Sequence, residues 1–165
     1  MHNPNLDQFL MFYSQSESGN GLTRGLDSEL ARRTYVPTKL DRELMEATLS
    51  GTLRLVILTG NAGDGKTAFI QKLEEEAQTH GSQIEKTDGL GASFSLGGKP
   101  FRTLYDGSVE TLGCSNQQML VEFFAELAGD NSPESSTCLV AAMNEGKLRD
   151  FLSHTDGYGT RIRVR

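Results

Sequence analysis

Apolar and polar positions along the chain switch between a helical period and a strand period, and the switches mark out alternating elements. Residues 5–14 carry Leu6, Phe9, Leu10, Phe12 and Tyr13, enough for a short helix, and residues 16–25, with three glycines, read as a loop. A second helix is predicted to start after Thr38, whose hydroxyl can cap it while Asp41 occupies the first turn. It runs through Leu40, Leu44, Ala47 and Leu49 to Gly51. Residues 53–59, LRLVILT, form a short apolar run bounded by glycines, the pattern of a strand buried on both faces. Past a glycine-rich octapeptide, Phe69, Ile70, Leu73 and Ala77 share one face of a helix. Glu74 to Glu76 are expected to point away from that face, and Gly81 to end the helix.

Residues 83–87 are a weak strand candidate, followed by the Gly- and Ser-rich stretch 89–98, which carries no element in this reading. Residues 101–105, FRTLY, are a better strand and end at Asp106. Ser115 and Gln118 make a capping box for a helix with the stripe Met119, Leu120, Phe123, Phe124 and Leu127, stopped by Gly129. After a polar turn around Pro133, residues 137–143, TCLVAAM, form another apolar run ending at Asn144. Arg161, Arg163 and Arg165 alternate with Ile162 and Val164, the start of a further strand. Strands alternating with helices predict an α/β fold, a parallel β-sheet flanked by helices. Residues 1–51 read as a helical N-terminal extension and residues 52–165 as the core.

A chain of 165 residues supports one ordinary hydrophobic core. With no Trp and 7% aromatic residues, stacking is a poor basis for ligand binding, and the net charge of −6 disfavours a nonspecific grip on nucleic acid. The longest apolar runs fall far below the roughly 20 residues that cross a bilayer, so no membrane partner is expected. The N-terminus lacks a basic region and a small-residue cleavage site, which points to a cytoplasmic location. Cys114 and Cys138 lie far apart with no CxxC, and His2, His80 and His154 share no metal-ligand spacing. The cysteines read as reduced packing residues and the histidines as surface residues.

The octapeptide Gly60-Asn61-Ala62-Gly63-Asp64-Gly65-Lys66-Thr67 satisfies G-x-x-x-x-G-K-T, with a predicted strand before it and a helix, opening at Ala68, after it. Glycines let the backbone turn its N–H groups inward, and the helix presents its positive end to the same point, so the segment is suited to cradle phosphates. Lys66 would reach the β and γ phosphates, and the Thr67 hydroxyl would supply one oxygen to Mg²⁺. The bland alternative is a glycine turn that only connects strand to helix.

With Gly63 and Asp64 in place the loop resembles that of the AAA+ and STAND branches of P-loop ATPases. The resemblance covers roughly residues 53–152. It implies ATP and Mg²⁺ as ligands, with Asp106 in the place of the Walker B aspartate and Asn144 in the place of sensor 1. Both sit at the carboxyl end of a predicted strand, where ligands bind in open α/β sheets. A turn aspartate and a helix N-cap are the structural alternatives for the two.

The family's catalytic Glu after the Walker B Asp is replaced here by Gly107 and Ser108, so Glu145 or Glu110 is left as a candidate to approach the γ phosphate, with a solvated surface carboxylate the structural alternative for each. The lid, sensor 2 Arg and arginine finger of the family are expected to lie beyond this chain. The phrases 60–67 and 144–148 are also similar to large bacterial ATPases of phage-defence and DNA-restriction systems, including phosphorothioation-dependent restriction. Arg32, Arg33 and Tyr35 fall where AAA+ proteins contact the adenine base. The resemblance therefore implies an ATP-binding hydrolase that forms homo-oligomers or complexes, with nucleic acid a partner only for a longer protein. A nucleotide-gated switch with negligible hydrolysis is the main alternative. A small-molecule phosphoryl transferase using Lys99 and Arg102 is a third.

Overall fold

The segment Cys138–Met143 is buried at every position, and burial of six consecutive apolar residues marks a strand covered on both faces. The computed structural model describes residues 25–27, 29–87, 89–108, 115–127 and 136–154. Their elements are α1 (Glu29–Thr34), α2 (Lys39–Leu49), β1 (Leu55–Thr59), α3 (Lys66–Thr79), β2 (Glu85–Thr87), β3 (Gly91–Leu96), β4 (Lys99–Leu104), α4 (Asn116–Phe123), a 3₁₀ turn (Ala125–Leu127), β5 (Cys138–Met143) and α5 (Glu145–His154).

The five strands form one sheet in the order β1-β5-β4-β3-β2. β5 pairs in parallel with β1 on one side and with β4 on the other, whereas β3 runs antiparallel to both β4 and β2. The expectation of an all-parallel sheet is therefore corrected to a mixed one. The cause is a hairpin where the sequence reading left no element: Gly97 and Gly98 have φ of 58° and 77°, the two positive values that a tight two-residue turn requires. That turn sets Leu96 opposite Lys99 and Phe94 opposite Phe101, whose rings stack at 4.8 Å. Strand β3 also needs glycine at Gly91, where a Cβ would lie 1.9 Å from the Thr103 carbonyl oxygen.

Alternate residues of β5 feed two cores. Cys138, Val140 and Ala142 pack with Phe69, Ile70, Leu73 and Ala77 of α3, with Leu44, Met45 and Leu49 of α2 against the same cluster. Leu139, Ala141 and Met143 pack with Leu120 and Phe123 of α4 and with Leu148 and Phe151 of α5. Helices thus cover both faces of the sheet. The capping at Thr38 is present, with Asp41 N donating to its hydroxyl and Thr38 N to the Asp41 carboxylate, and the Ser115/Gln118 box is present too. Glu74 departs from expectation: it is 2% exposed and faces the sheet, not solvent.

No helix among the described residues is long and apolar enough to cross a membrane. The predicted helix at 5–14, the strand at 161–165, and Glu110, Cys114 and His2 lie outside the described residues. Cys138 is a free, buried thiol.

Candidate functional site

Because β1, β5 and β4 are parallel, their carboxyl ends emerge on one edge of the sheet, with Thr59 level with Met143. The segments that leave those ends are 60–65, Asn144 and Tyr105-Asp106. They meet there with Gly25, Leu26, Ala31, Thr34 and Tyr35 in a cleft of about 580 Å³. Its wall includes Gly60, Ala62, Gly63, Gly65, Lys66, Thr67, Ala68, Tyr105, Asp106, Ser108 and Asn144, together with Leu26, Ala31, Thr34 and Tyr35.

The glycine loop is shaped by backbone conformations that other residues resist. Gly60, Gly63 and Gly65 have φ of 149°, 90° and 81°. A Cβ at Gly60 would come within 2.6 Å of Asp64 Oδ2. That carboxylate accepts from Asn61 N at 2.6 Å, so Asp64 closes the loop on itself, and neither Asn61 nor Asp64 is part of the cleft wall. The Lys66 ammonium folds over the loop and donates to the carbonyls of Gly60 (3.0 Å) and Asn61 (2.6 Å). Helix α3 begins with Gly65 as a cap that supplies no side-chain acceptor, and the first helical bond is Phe69 N to Gly65 O. The N–H groups of the first turn are left facing the cleft end of the helix axis.

Thr67 and Asp106, expected as a metal pair, are brought together. The Thr67 hydroxyl donates to the Tyr105 carbonyl at 3.0 Å, one residue before Asp106. Asp106 accepts from Ser108 N at 2.8 Å, and Gly107 N extends the sheet by donating to Ala142 O. The donor set, one hydroxyl and one carboxylate beside the glycine loop, suits a hard cation that keeps most of its waters, as Mg²⁺ does. It contains none of the soft or imidazole ligands of a transition-metal site. Among the described residues no group of three or more His, Cys, Asp or Glu assembles into a metal site of its own.

Asn144 holds two positions at once. Its Oδ1 accepts from Lys147 N at 2.7 Å and caps α5, while its Nδ2 donates to the Ser108 hydroxyl at 3.1 Å at the cleft wall. Glu145 does not join them. It is exposed, paired with Arg149 Nη2 at 2.5 Å, and absent from the cleft wall, because the helix that Asn144 starts turns it outward. Asp106 is then the one carboxylate among the described residues lining the cleft.

Of the three residues expected near a base, Tyr35 lines the cleft, its hydroxyl pushed up to about 12 by burial and by Asp41. Arg32 donates instead to Leu26 O at 2.8 Å and Arg33 is exposed. A larger groove of about 1030 Å³ lies between α2 and α3. It holds none of the loop, so size alone does not identify the site.

Sequence reasoning missed Ser108, the Gly25-Leu26 wall and the buried cluster around Glu74. Leu26 is a buried apolar residue next to a glycine in a loop. Its amide is held by Gln71 Oε1 of α3, an interaction that local pattern does not reveal. Compared with protein-family models, with curated proteins and with solved structures, the chain matches none.

Proposed function

We propose that the cleft binds Mg·ATP. The observation that carries this reading is the convergence, at one sheet edge, of the Gly60–Thr67 loop, an uncapped α3 N-terminus and Asp106 beside Thr67. Each is a different chemical answer to a triphosphate: main-chain amides for oxygens, Lys66 for charge, and hydroxyl with carboxylate for a metal. The cleft volume lies within the range of small-molecule sites. Lys66, now on the Gly60 and Asn61 carbonyls, would exchange them for phosphate oxygens, and Leu26, Ala31, Thr34 and Tyr35 would form the apolar side for the base.

Hydrolysis would be in-line attack of water on the γ phosphorus with ADP leaving, helped by positioning and by charge from Lys66. Mg²⁺, if held by Thr67 and Asp106, would supply charge neutralisation. The switch reading, in which the protein binds ATP and turns it over negligibly, is favoured by one observation. No described carboxylate besides Asp106 lines the cleft to orient a water, and Glu145 points away.

Mg·ATP should raise the thermal midpoint of the chain, because a ligand that binds only the folded state stabilises it by mass action. At a concentration about a hundredfold above Kd the gain is about 2.7 kcal/mol. Lys66→Ala should lose most of the rise while keeping the midpoint of the free protein. A variant that rises as much as the wild type would remove Lys66 from the site, and a wild type with no rise would end the reading.

A further inference from the structure

Glu74 lies two turns after Thr67 on α3, about 10 Å further along the helix axis, on the face turned to β4. A carboxylate so buried is costly unless its oxygens are fully engaged. Here Oε1 accepts from the Thr103 hydroxyl at 2.7 Å. Oε2 accepts from the Tyr105 hydroxyl at 2.7 Å and from the Lys86 ammonium, which also donates to the Tyr105 oxygen. The Thr103 hydroxyl in turn accepts from Ala92 N at 2.8 Å. One α3 side chain therefore ties together β4, β3 and the edge strand β2.

Tyr105 is the residue this cluster holds most completely. Its N donates to Leu90 O at 2.7 Å, its phenol is held by Glu74 and Lys86, and its carbonyl accepts the Thr67 hydroxyl. The last contact has a chemical consequence. A threonine hydroxyl has one proton and two lone pairs, and with the proton committed to the Tyr105 carbonyl a lone pair is free for a cation. The peptide that orients Thr67 leads directly into Asp106, the second oxygen donor. α3 thus grips one residue at both ends, by Thr67 at the main chain and by Glu74 at the phenol.

We propose that Glu74 is a positioning residue for the cation half of the nucleotide site, acting through Tyr105 on Thr67 and Asp106 together. The inference rests on the Mg·ATP reading and adds to it a buried network that reaches from Glu74, Thr103 and Lys86 to Tyr105 at the cleft wall. It separates two parts of affinity: the loop amides and Lys66 grip phosphate with or without metal, whereas Thr67 and Asp106 contribute only when Mg²⁺ is present.

The test is a titration of the chain with a fluorescent ATP analogue, once with Mg²⁺ and once with EDTA. It is run on the wild type, on Glu74→Gln, and on Tyr105→Phe, which removes a single hydroxyl and keeps the ring in the core. The Mg²⁺ enhancement of affinity should fall about tenfold in both variants, the usual size of such outer-shell effects, with the EDTA affinity unchanged. Mn²⁺ in place of Mg²⁺ adds a direct readout, since the electron-spin spectrum of the bound ion should broaden in Tyr105→Phe. An unchanged Mg²⁺ enhancement in Tyr105→Phe overturns the inference, and so does an equal loss in both arms, which would mark Glu74 and Tyr105 as structural only. A wild type that binds no nucleotide in either arm overturns the Mg·ATP reading itself.

Discussion

Individual residues in this molecule are constrained by what surrounds them more than by their own type. Cys138 sits on the interior strand β5, and burial pushes its thiol from the ordinary 9.0 up to about 11, with the nearby Arg54 and Lys99 charges pulling the other way. The proton is therefore held more tightly by the folded chain than by the unfolded one. Stability from this group is complete below pH 9.0 and is lost as pH rises from there toward 11. The urea midpoint should decline over that window, and Cys138→Ala should flatten the decline. Parallel curves for the two proteins would show that Cys138 does not titrate against folding. Glu74 is likewise set by its neighbours. In a run of three glutamates it looks like solvated helix surface, yet Thr103, Tyr105 and Lys86 supply the donors that allow one of the three to turn inward.

Elements whose boundaries are set by local hydrogen bonds were legible from their own residues. Thr38 and Ser115 each accept at the side chain from the N–H three residues on, and each donates its own N–H to the Asp41 or Gln118 side chain, the return bond that makes a capping box. Thr38→Ala leaves the Asp41 N–H without its side-chain acceptor and should cost about 1 kcal/mol, read as a lower urea midpoint at unchanged slope. A loss far below this would mean that α2 is held by Leu44, Met45 and Leu49 on the core alone. Strand β3 escaped notice for a complementary reason. Its sequence, GASFSL, is too small and polar to read as a strand, and it is held by pairing on both edges and by the Gly97-Gly98 turn. Strand propensity in such a segment comes from neighbours, which sequence does not list.

At the scale of the whole molecule the arrangement places the glycine loop on a mixed sheet, with Asp106 the one carboxylate among the described residues lining the cleft at that edge. If occupancy and not turnover is the output, phosphate release should stay slow and its specific rate flat as protein concentration is raised. A specific rate that climbs with concentration would instead show a site completed by a second copy, and hydrolysis would return as the primary reading.

The chain order alone determined that a strand, a glycine loop and a helix succeed one another at residues 55–79, because that motif is local and its glycines are needed for positive φ. It also determined both capping boxes and the apolar run of β5. Tertiary structure decided what stands beside what. β5 inserts between β1 and β4, Thr67 reaches the Tyr105 carbonyl, Asn144 divides its amide between a helix cap and Ser108, and Glu145 is turned outward. The physical reason is range: caps and glycine turns act over three or four residues, whereas strand order and the partners of a buried carboxylate follow from sharing one core among segments tens of residues apart.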